Sequence, residues 1–269
     1  MKVGKDLKVS INDAIELLGN LRDVITRGDK VLVKPNFNSP DAFPGSTDLL
    51  FLRGMIEMLV EAGARVTIGE SSGGIWRPTK NVFHKLGLYE LARKLNVKLL
   101  PFDKKGTDWV KIEINGSYLR SVTMPRVAYE ADKIVYLPCM KTHRLAGYSG
   151  ALKLAFGFVH PGERRGFHLR HLQRKLAEVS LCWQPDLIVI DGMKTFVTGG
   201  PDKGQLAEPG LLLASGDIVA IDLEAVKVIL AYGAKNRLPS ITWQLPQIAT
   251  ALKHGFGFGA SEYTVIEQL

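Results

Sequence analysis

Val31-Leu32-Val33-Lys34-Pro35-Asn36 and, further along, Ala64-Arg65-Val66-Thr67-Ile68-Gly69-Glu70-Ser71-Ser72 are the two stretches that decide how this chain folds. Each is a short apolar run that does not alternate, the pattern of a strand buried on both faces, and each ends in polar residues. Between them, Thr47 and Asp48 offer helix caps, Leu49, Leu52, Ile56, Leu59 and Val60 recur at helical spacing, and Gly63 supplies a stop. Strand, helix and strand within about 40 residues make a βαβ unit, whose crossover is right-handed in nearly all cases.

The pattern continues outward from this unit. Leu88 to Asn96 reads as a helix and Val97 to Leu100 as a third strand. Lys133 to Leu137, Asp186 to Ile190 and Leu211 to Ala214 are further apolar strands. Helices are expected from about Leu169 to Trp183, Asp217 to Tyr232 and Ser240 to His254. Trp109 to Val122 differs: Val110, Ile112 and Ile114 alternate, and Asn115-Gly116 predicts a tight hairpin turn with positive φ at both positions. The expected fold is therefore three-layer α/β, a mostly parallel sheet with helices on both faces, in a single domain over residues 1–269. The hairpin, at about 108–124, is expected at the sheet edge or as a lid.

Composition narrows the class. The chain has 269 residues, 46% apolar and 23% charged, the balance of a globular protein long enough to bury a large core. Two cysteines, Cys139 and Cys182, form no C-x-x-C pair, which excludes a disulfide framework and a self-contained four-cysteine iron–sulfur or zinc site. No apolar run reaches the ~20 residues of a membrane helix, and Met1 to Asp6 lacks the apolar core of a signal peptide. A cytoplasmic protein is the expectation. The 35 basic and 27 acidic residues give a net charge of +8, compatible with nucleic acid, an anionic surface or small acidic molecules.

In parallel sheets ligands bind beyond the carboxyl ends of the strands. Those ends carry Lys34 and Asn36, then Glu70, Ser71 and Ser72, then Cys139, Lys141 and His143, then Asp191-Gly192, and finally Ser215-Gly216-Asp217. Lys34, Lys141 and Lys153 can present ammonium groups to phosphate or carboxylate. Glu70, Asp191 and Asp222 can offer oxygens to a divalent metal ion, or one of them can act as a general base. Asp217 also reads as a helix N-cap, and Asp222 stands roughly 140° further round that helix. His143, among cations, is a candidate acid–base group. Cys139 reads as a buried structural cysteine and Cys182 as core.

Lys34-Pro35-Asn36, the Gly-Glu-Ser run at Gly69, Lys141-Thr142-His143, Gly150-Ala151-Leu152-Lys153, Asp191-Gly192, Gly200-Pro201 and Ser215 to Asp222 occur in that order. Taken together they resemble the domain of unknown function 362 family, over about Val31 to Tyr232. Many of its members carry ferredoxin-like cysteine motifs and are labelled iron–sulfur proteins. This chain lacks that segment, so the resemblance implies at most a redox accessory to an iron–sulfur partner protein.

Glycine-rich and basic stretches complete the reading. Gly69 to Gly74 fits neither G-x-G-x-x-G nor G-x-x-x-x-G-K-[ST], so there is no nucleotide motif. Gly255-Phe256-Gly257-Phe258-Gly259 reads as a loop after a helix. His160 to Lys175 holds three histidines, four arginines and a lysine against one glutamate. His168 and His171 would share a helix face there, with no carboxylate to complete a metal site. The leading expectation is an enzyme for a small anionic substrate, with a metal ion or bound cofactor at the rim. His143 and Lys141 would be catalytic, and Lys34, Asn36, Ser71, Ser72, Gly150, Lys153, Gly192 and Gly200 would contact the ligand. A non-enzymatic module for anionic metabolites and a nucleic-acid binder using the basic stretch are the alternatives. The last is disfavoured because Phe167 is the only stacking aromatic nearby.

Overall fold

The two deciding runs become adjacent parallel strands, β1 (Lys30–Pro35) and β2 (Arg65–Glu70), in register from Lys30 opposite Arg65 to Val33 opposite Ile68. The helix between them, Leu49–Glu61, begins on Asp48, whose Oδ1 accepts from the amides of Leu50 and Phe51. Its Phe51, Leu52, Met55, Ile56 and Leu59 pack with Val31, Val33 and Ile68 in one core layer. The structure, a computed structural model, describes residues 1–4, 6–73, 77–257 and 263–268. Gly74, Phe258 and Gly259 of the glycine-rich stretches lie outside the described residues.

The remaining strands are β3 (Lys98–Pro101), β4 (Trp109–Glu113), β5 (Ser121–Pro125), β6 (Lys133–Leu137), β7 (Cys139–His143), β8 (Gly147–Ser149), β9 (Leu187–Phe196), β10 (Leu206–Ala207) and β11 (Leu211–Ser215). The main sheet runs β3-β2-β1-β6-β9-β7-β8, with β10 and β11 also pairing to β9. From β3 to β9 every neighbour is parallel. Both β6 and β7 run parallel to β9, so they form one ribbon interrupted at Pro138, which has no amide hydrogen to give a ladder. Helices cover both faces. The second core layer gathers Leu32, Tyr136, Ile188 and Phe158 with Ile221 and Val226 of helix Ile218–Leu230 and Ile248 of helix Pro246–Lys253. The three-layer α/β architecture and the mostly parallel sheet are thus as the strand pattern demands. Among the described residues no helix is long and apolar enough to cross a membrane.

Several local expectations are corrected. The hairpin β4–β5 forms as its own two-stranded sheet, but Asn115-Gly116 does not make a tight turn. The last pair is Glu113 opposite Ser121, and neither Asn115 nor Gly116 has positive φ. A wider loop instead wraps a carboxylate: the amides of Ser117, Tyr118 and Leu119 all donate to Glu178, which is wholly buried. Any Cβ at Gly116 would collide with that carboxylate. The glycine is therefore required for room rather than for its φ. His254 Nε2 closes the other side of Glu178 at 3.1 Å.

The basic stretch is two helices, Arg164–Leu169 and Leu172–Val179, divided where His171 adopts φ +57°. The single helix expected there does not form, and His168 and His171 do not share a face. The last helix is shortened to Pro246–Lys253 after a 3-10 turn at Thr242–Gln244. The strand that was expected to end at Ile190 runs through Asp191-Gly192 to Phe196. Finally, β11 is antiparallel to β9, with Ser215 opposite Ile188 near the start of β9. Ser215-Gly216-Asp217 therefore stands at the opposite end of the sheet from Lys34 and Glu70, and Asp217 caps helix Ile218–Leu230 through Val219 and Ala220.

Candidate functional site

The sheet is stepped. Pro35 at the end of β1 is level with Leu137, while β7 and β9 run on beyond that level from Cys139 opposite Asp191. At the carboxyl ends of β1 and β2 is a cleft with about 40 Å³ of open space, lined among others by Lys34, Asn36, Asn38, Glu70, Ser71, Lys153 and Arg164.

Its floor is an ion pair. Lys34 Nζ lies 2.7 Å from Glu70 Oε2, and both residues are buried. The ammonium also donates to the Pro35 carbonyl at 2.8 Å and lies 5.8 Å from the centre of the Phe158 ring. Glu70 accepts the amides of Phe37 at 2.9 Å and Ser71 at 2.7 Å. Burial pulls the Lys34 pKa down and Glu70 pulls it back. Gly157 roofs the pair: a Cβ there would stand 2.5 Å from Lys34 Cε and 2.6 Å from Glu70 Oε1. Such a pair is costly to break from one side, since the surviving charge is left without a partner.

Arg164 forms one wall. Its guanidinium donates to the carbonyls of Val159 at 3.0 Å, Gly157 at 3.2 Å and Ser71 at 3.1 Å, and to that of Ser72. It thereby fastens the exit of β2 to the segment before its own helix. Lys141, buried on β7, donates to the carbonyls of Pro44 and Gly45, and burial lowers its pKa.

Lys153, on the short helix Ala151–Leu154, differs from these three. It makes no hydrogen bond or ion pair with any described residue. Burial first, and then the neighbouring Lys141, push its pKa down to about 8, with Lys34 and Arg164 adding and Glu70 opposing. Ser71 contributes a buried hydroxyl that also has no partner among the described residues.

His143, at the end of β7, accepts the amides of Leu145 at 3.2 Å and Ala146 at 3.1 Å on Nδ1. Burial, reinforced by Lys153 and Lys141, drives its pKa down to about 2. A neutral ring with Nδ1 so occupied carries its proton on Nε2. That nitrogen can donate a hydrogen bond to an anion, but the ring is not poised to take up a proton near neutral pH.

Other sequence-predicted residues have structural partners. Ser72 Oγ donates to the Phe37 carbonyl at 2.6 Å, and the Asn36 amide donates to Thr47 Oγ1 at 2.8 Å. Asp222 is wholly buried and caps the helix at Ala151: its two oxygens accept the amides of Ala151 at 2.7 Å and Leu152 at 2.9 Å, and the Tyr148 hydroxyl donates at 3.3 Å. Burial pushes its pKa up to about 7. Asp191 accepts the Met193 amide at 2.9 Å, and burial pushes it up to about 6. Gly150 leaves room for the Asp222 carboxylate and Tyr148, Gly192 for Leu211 on β11, and Gly200 for the Thr142 carbonyl.

The structure thus gathers Lys34, Asn36, Glu70, Ser71 and Lys153 at one cleft and does not gather the three carboxylates expected to hold a metal. Among the described residues no group of three or more His, Cys, Asp or Glu side chains could hold an ion. Cys139 is buried, and that burial raises the pKa of its thiol. The sequence reading missed Asn38 and Arg164. Asn38 lies two residues beyond Asn36, past the end of β1, whereas Arg164 is hidden in a stretch that reads as solvated and basic.

The cleft residues fall within a span that comparison with known proteins also picks out. A family model described as domain of unknown function, DUF362, matches residues 31–227. The chain belongs to the DUF362 family. Among curated proteins, the thylakoid-associated protein sll1697 of Synechocystis sp. is 26% identical over 233 residues, covering 83% of this chain and 70% of the relative. Among solved structures, the lactate racemase apoprotein from Thermoanaerobacterium thermosaccharolyticum has a similar fold, with a TM-score of 0.53 and 15% identity. That match covers 82% of this chain and 54% of the racemase, so the chain spans about half the length of that protein.

Proposed function

We propose that the cleft at the ends of β1 and β2 binds a small anionic molecule, a carboxylate or a phosphate, and that this cytoplasmic family member acts on it as an enzyme. One observation carries the reading: Lys34, Lys141, Lys153 and Arg164 converge on one partly buried region, Glu70 is the carboxylate paired there, and Lys153 has no described partner. Uncompensated positive charge at a site of low dielectric attracts an anion more strongly than the same charge in water. Neutral His143 adds a hydrogen-bond donor at Nε2, and acid–base work falls to Lys153 rather than to His143. The neighbour of the same fold is a lactate racemase, and lactate is a small hydroxy acid, which is compatible with this reading. Glu70 is tied to Lys34 and Asp222 caps a helix, so this reading gives neither of them to a metal.

A binding module without turnover is the second reading, favoured by the locked ring of His143. Titration calorimetry with phosphate, acetate and lactate tests the shared claim. At least one should bind the wild type, and Lys153→Met should weaken it roughly tenfold, the loss of one charge-assisted contact. Equal affinity in wild type and variant would overturn the assignment.

A further inference from the structure

We infer that Lys153 is a nucleophilic amine that condenses with the carbonyl carbon of a small oxo acid and holds it as an imine. The inference rests on the anion-binding reading above and adds a bond to it. Three cations line the cleft, Lys34, Lys153 and Arg164, with Lys141 near enough to act on Lys153, and all but Lys153 are tied down. Lys34 is engaged by Glu70 and the Pro35 carbonyl, Lys141 by two carbonyls, and Arg164 by four. An ammonium held by acceptors keeps its protons, and a guanidinium does not lose them in proteins. Lys153 has neither restraint, and it lines the cleft.

Its surroundings favour the free amine. The titratable neighbours acting on it are Lys141, Lys34 and Arg164, which lower its pKa, and Glu70, which raises it, while burial is the largest influence. A lysine at about 8 has on the order of a hundredfold more free amine near neutral pH than one at the ordinary ~10.4. One group lining the cleft can serve the carbonyl oxygen: the Ser71 hydroxyl, buried without a described partner. The open space of about 40 Å³ restricts the acid to the smallest oxo acids. The positive charge of the three tied cations attracts the acid group.

The step balances without any other reagent. The Nζ lone pair adds to the carbonyl carbon, and the carbonyl oxygen takes up a proton as its π bond breaks. The resulting carbinolamine loses its hydroxyl with a second proton as one water, leaving a carbon–nitrogen double bond. Both protons in that water derive from the amine nitrogen, and nothing is oxidised or reduced.

Glyoxylate with cyanoborohydride, followed by peptide mass mapping, tests this. The expected result is a carboxymethyl group on Lys153 at roughly ten times or more the occupancy of exposed lysines, suppressed by excess glycolate. Lys153→Arg keeps the charge, and it should still bind glycolate in calorimetry while losing that label. Wild type that binds glycolate but is labelled no more at Lys153 than elsewhere would overturn the imine and leave the anion site standing. Wild type that binds neither glycolate nor phosphate would overturn the anion reading itself. Should Lys153→Arg fail to fold, protection of wild-type Lys153 by glycolate decides the matter alone.

Discussion

Two backbone amides on Nδ1 and a cationic neighbourhood make His143 a fixed donor. An ordinary histidine titrates near about 6.5, and one held near 2 stays neutral throughout the physiological range. Its ring Cε1–H resonance should therefore show no titration step between about pH 5 and 8 by NMR. A step in that range would restore it as an acid–base group. The consequence for stability has a definite sign. The unfolded histidine gains a proton below about 6.5 and the native one does not, so this group's contribution is lost as pH falls toward 2.

Asp222 works in the other direction. With its pKa pushed up to about 7 by burial, the native state keeps a proton that an unfolded aspartate releases near about 3.9. Its contribution to stability is present below that value and is lost as pH rises through 7. Asp191, at about 6, adds the same slope over a narrower window. In Asp222→Asn, one acceptor of the helix cap is gone, costing about 1–3 kcal/mol. The decline in urea midpoint between about pH 4 and 7 should also become shallower than in the wild type. A variant with the wild-type slope would show that Asp222 is not the titrating group.

At the scale of elements, the hairpin shows what a local pattern can and cannot carry. Alternation at Val110, Ile112 and Ile114 makes β4 legible, because a strand with one face packed is a property of its own residues. The turn was not legible. Its geometry is set by Glu178, distant in sequence and brought in by a helix that closes on the loop, and the Asn-Gly pair cannot announce that. Glu178→Gln removes the charge from three amide contacts and exchanges an acceptor oxygen for a donor. A loss of about 2–4 kcal/mol is expected, with tryptic cleavage at Arg120 accelerated relative to other sites. Gly116→Ala should reproduce the cleavage, since its Cβ meets the same carboxylate. Unchanged cleavage in both variants would mean that the cradle does not hold the loop. The direction of β11 was hidden for a similar reason: an apolar run gives no indication whether its neighbour is parallel, and the segment between Phe196 and Leu211 is long enough for a crossover but holds β10 instead.

At the scale of the whole molecule, the parallel sheet follows from continuous apolar runs, and the strand-end rule finds Lys34, Glu70 and Ser71, while Lys153 is picked out by the Gly150 to Lys153 motif. What the rule cannot supply is which polar groups are already engaged. Asp191, Asp222 and Lys141 look as available in sequence as Lys153 does, and only packing reveals that the first three have acceptors or donors of their own. The step in the sheet also makes the cleft a corner, with one wall from the exits of β1 and β2 and the other from the segment 150–158. Those walls are far apart in sequence, and the Arg164 guanidinium is a tether between them. A molecule seated in the corner would be a second tether. Amide hydrogen exchange should consequently slow in both walls together when ligand is added, at 71–73 as much as at 150–158, while β10 and β11 keep their rates. Slowing confined to one wall would place the ligand outside the corner.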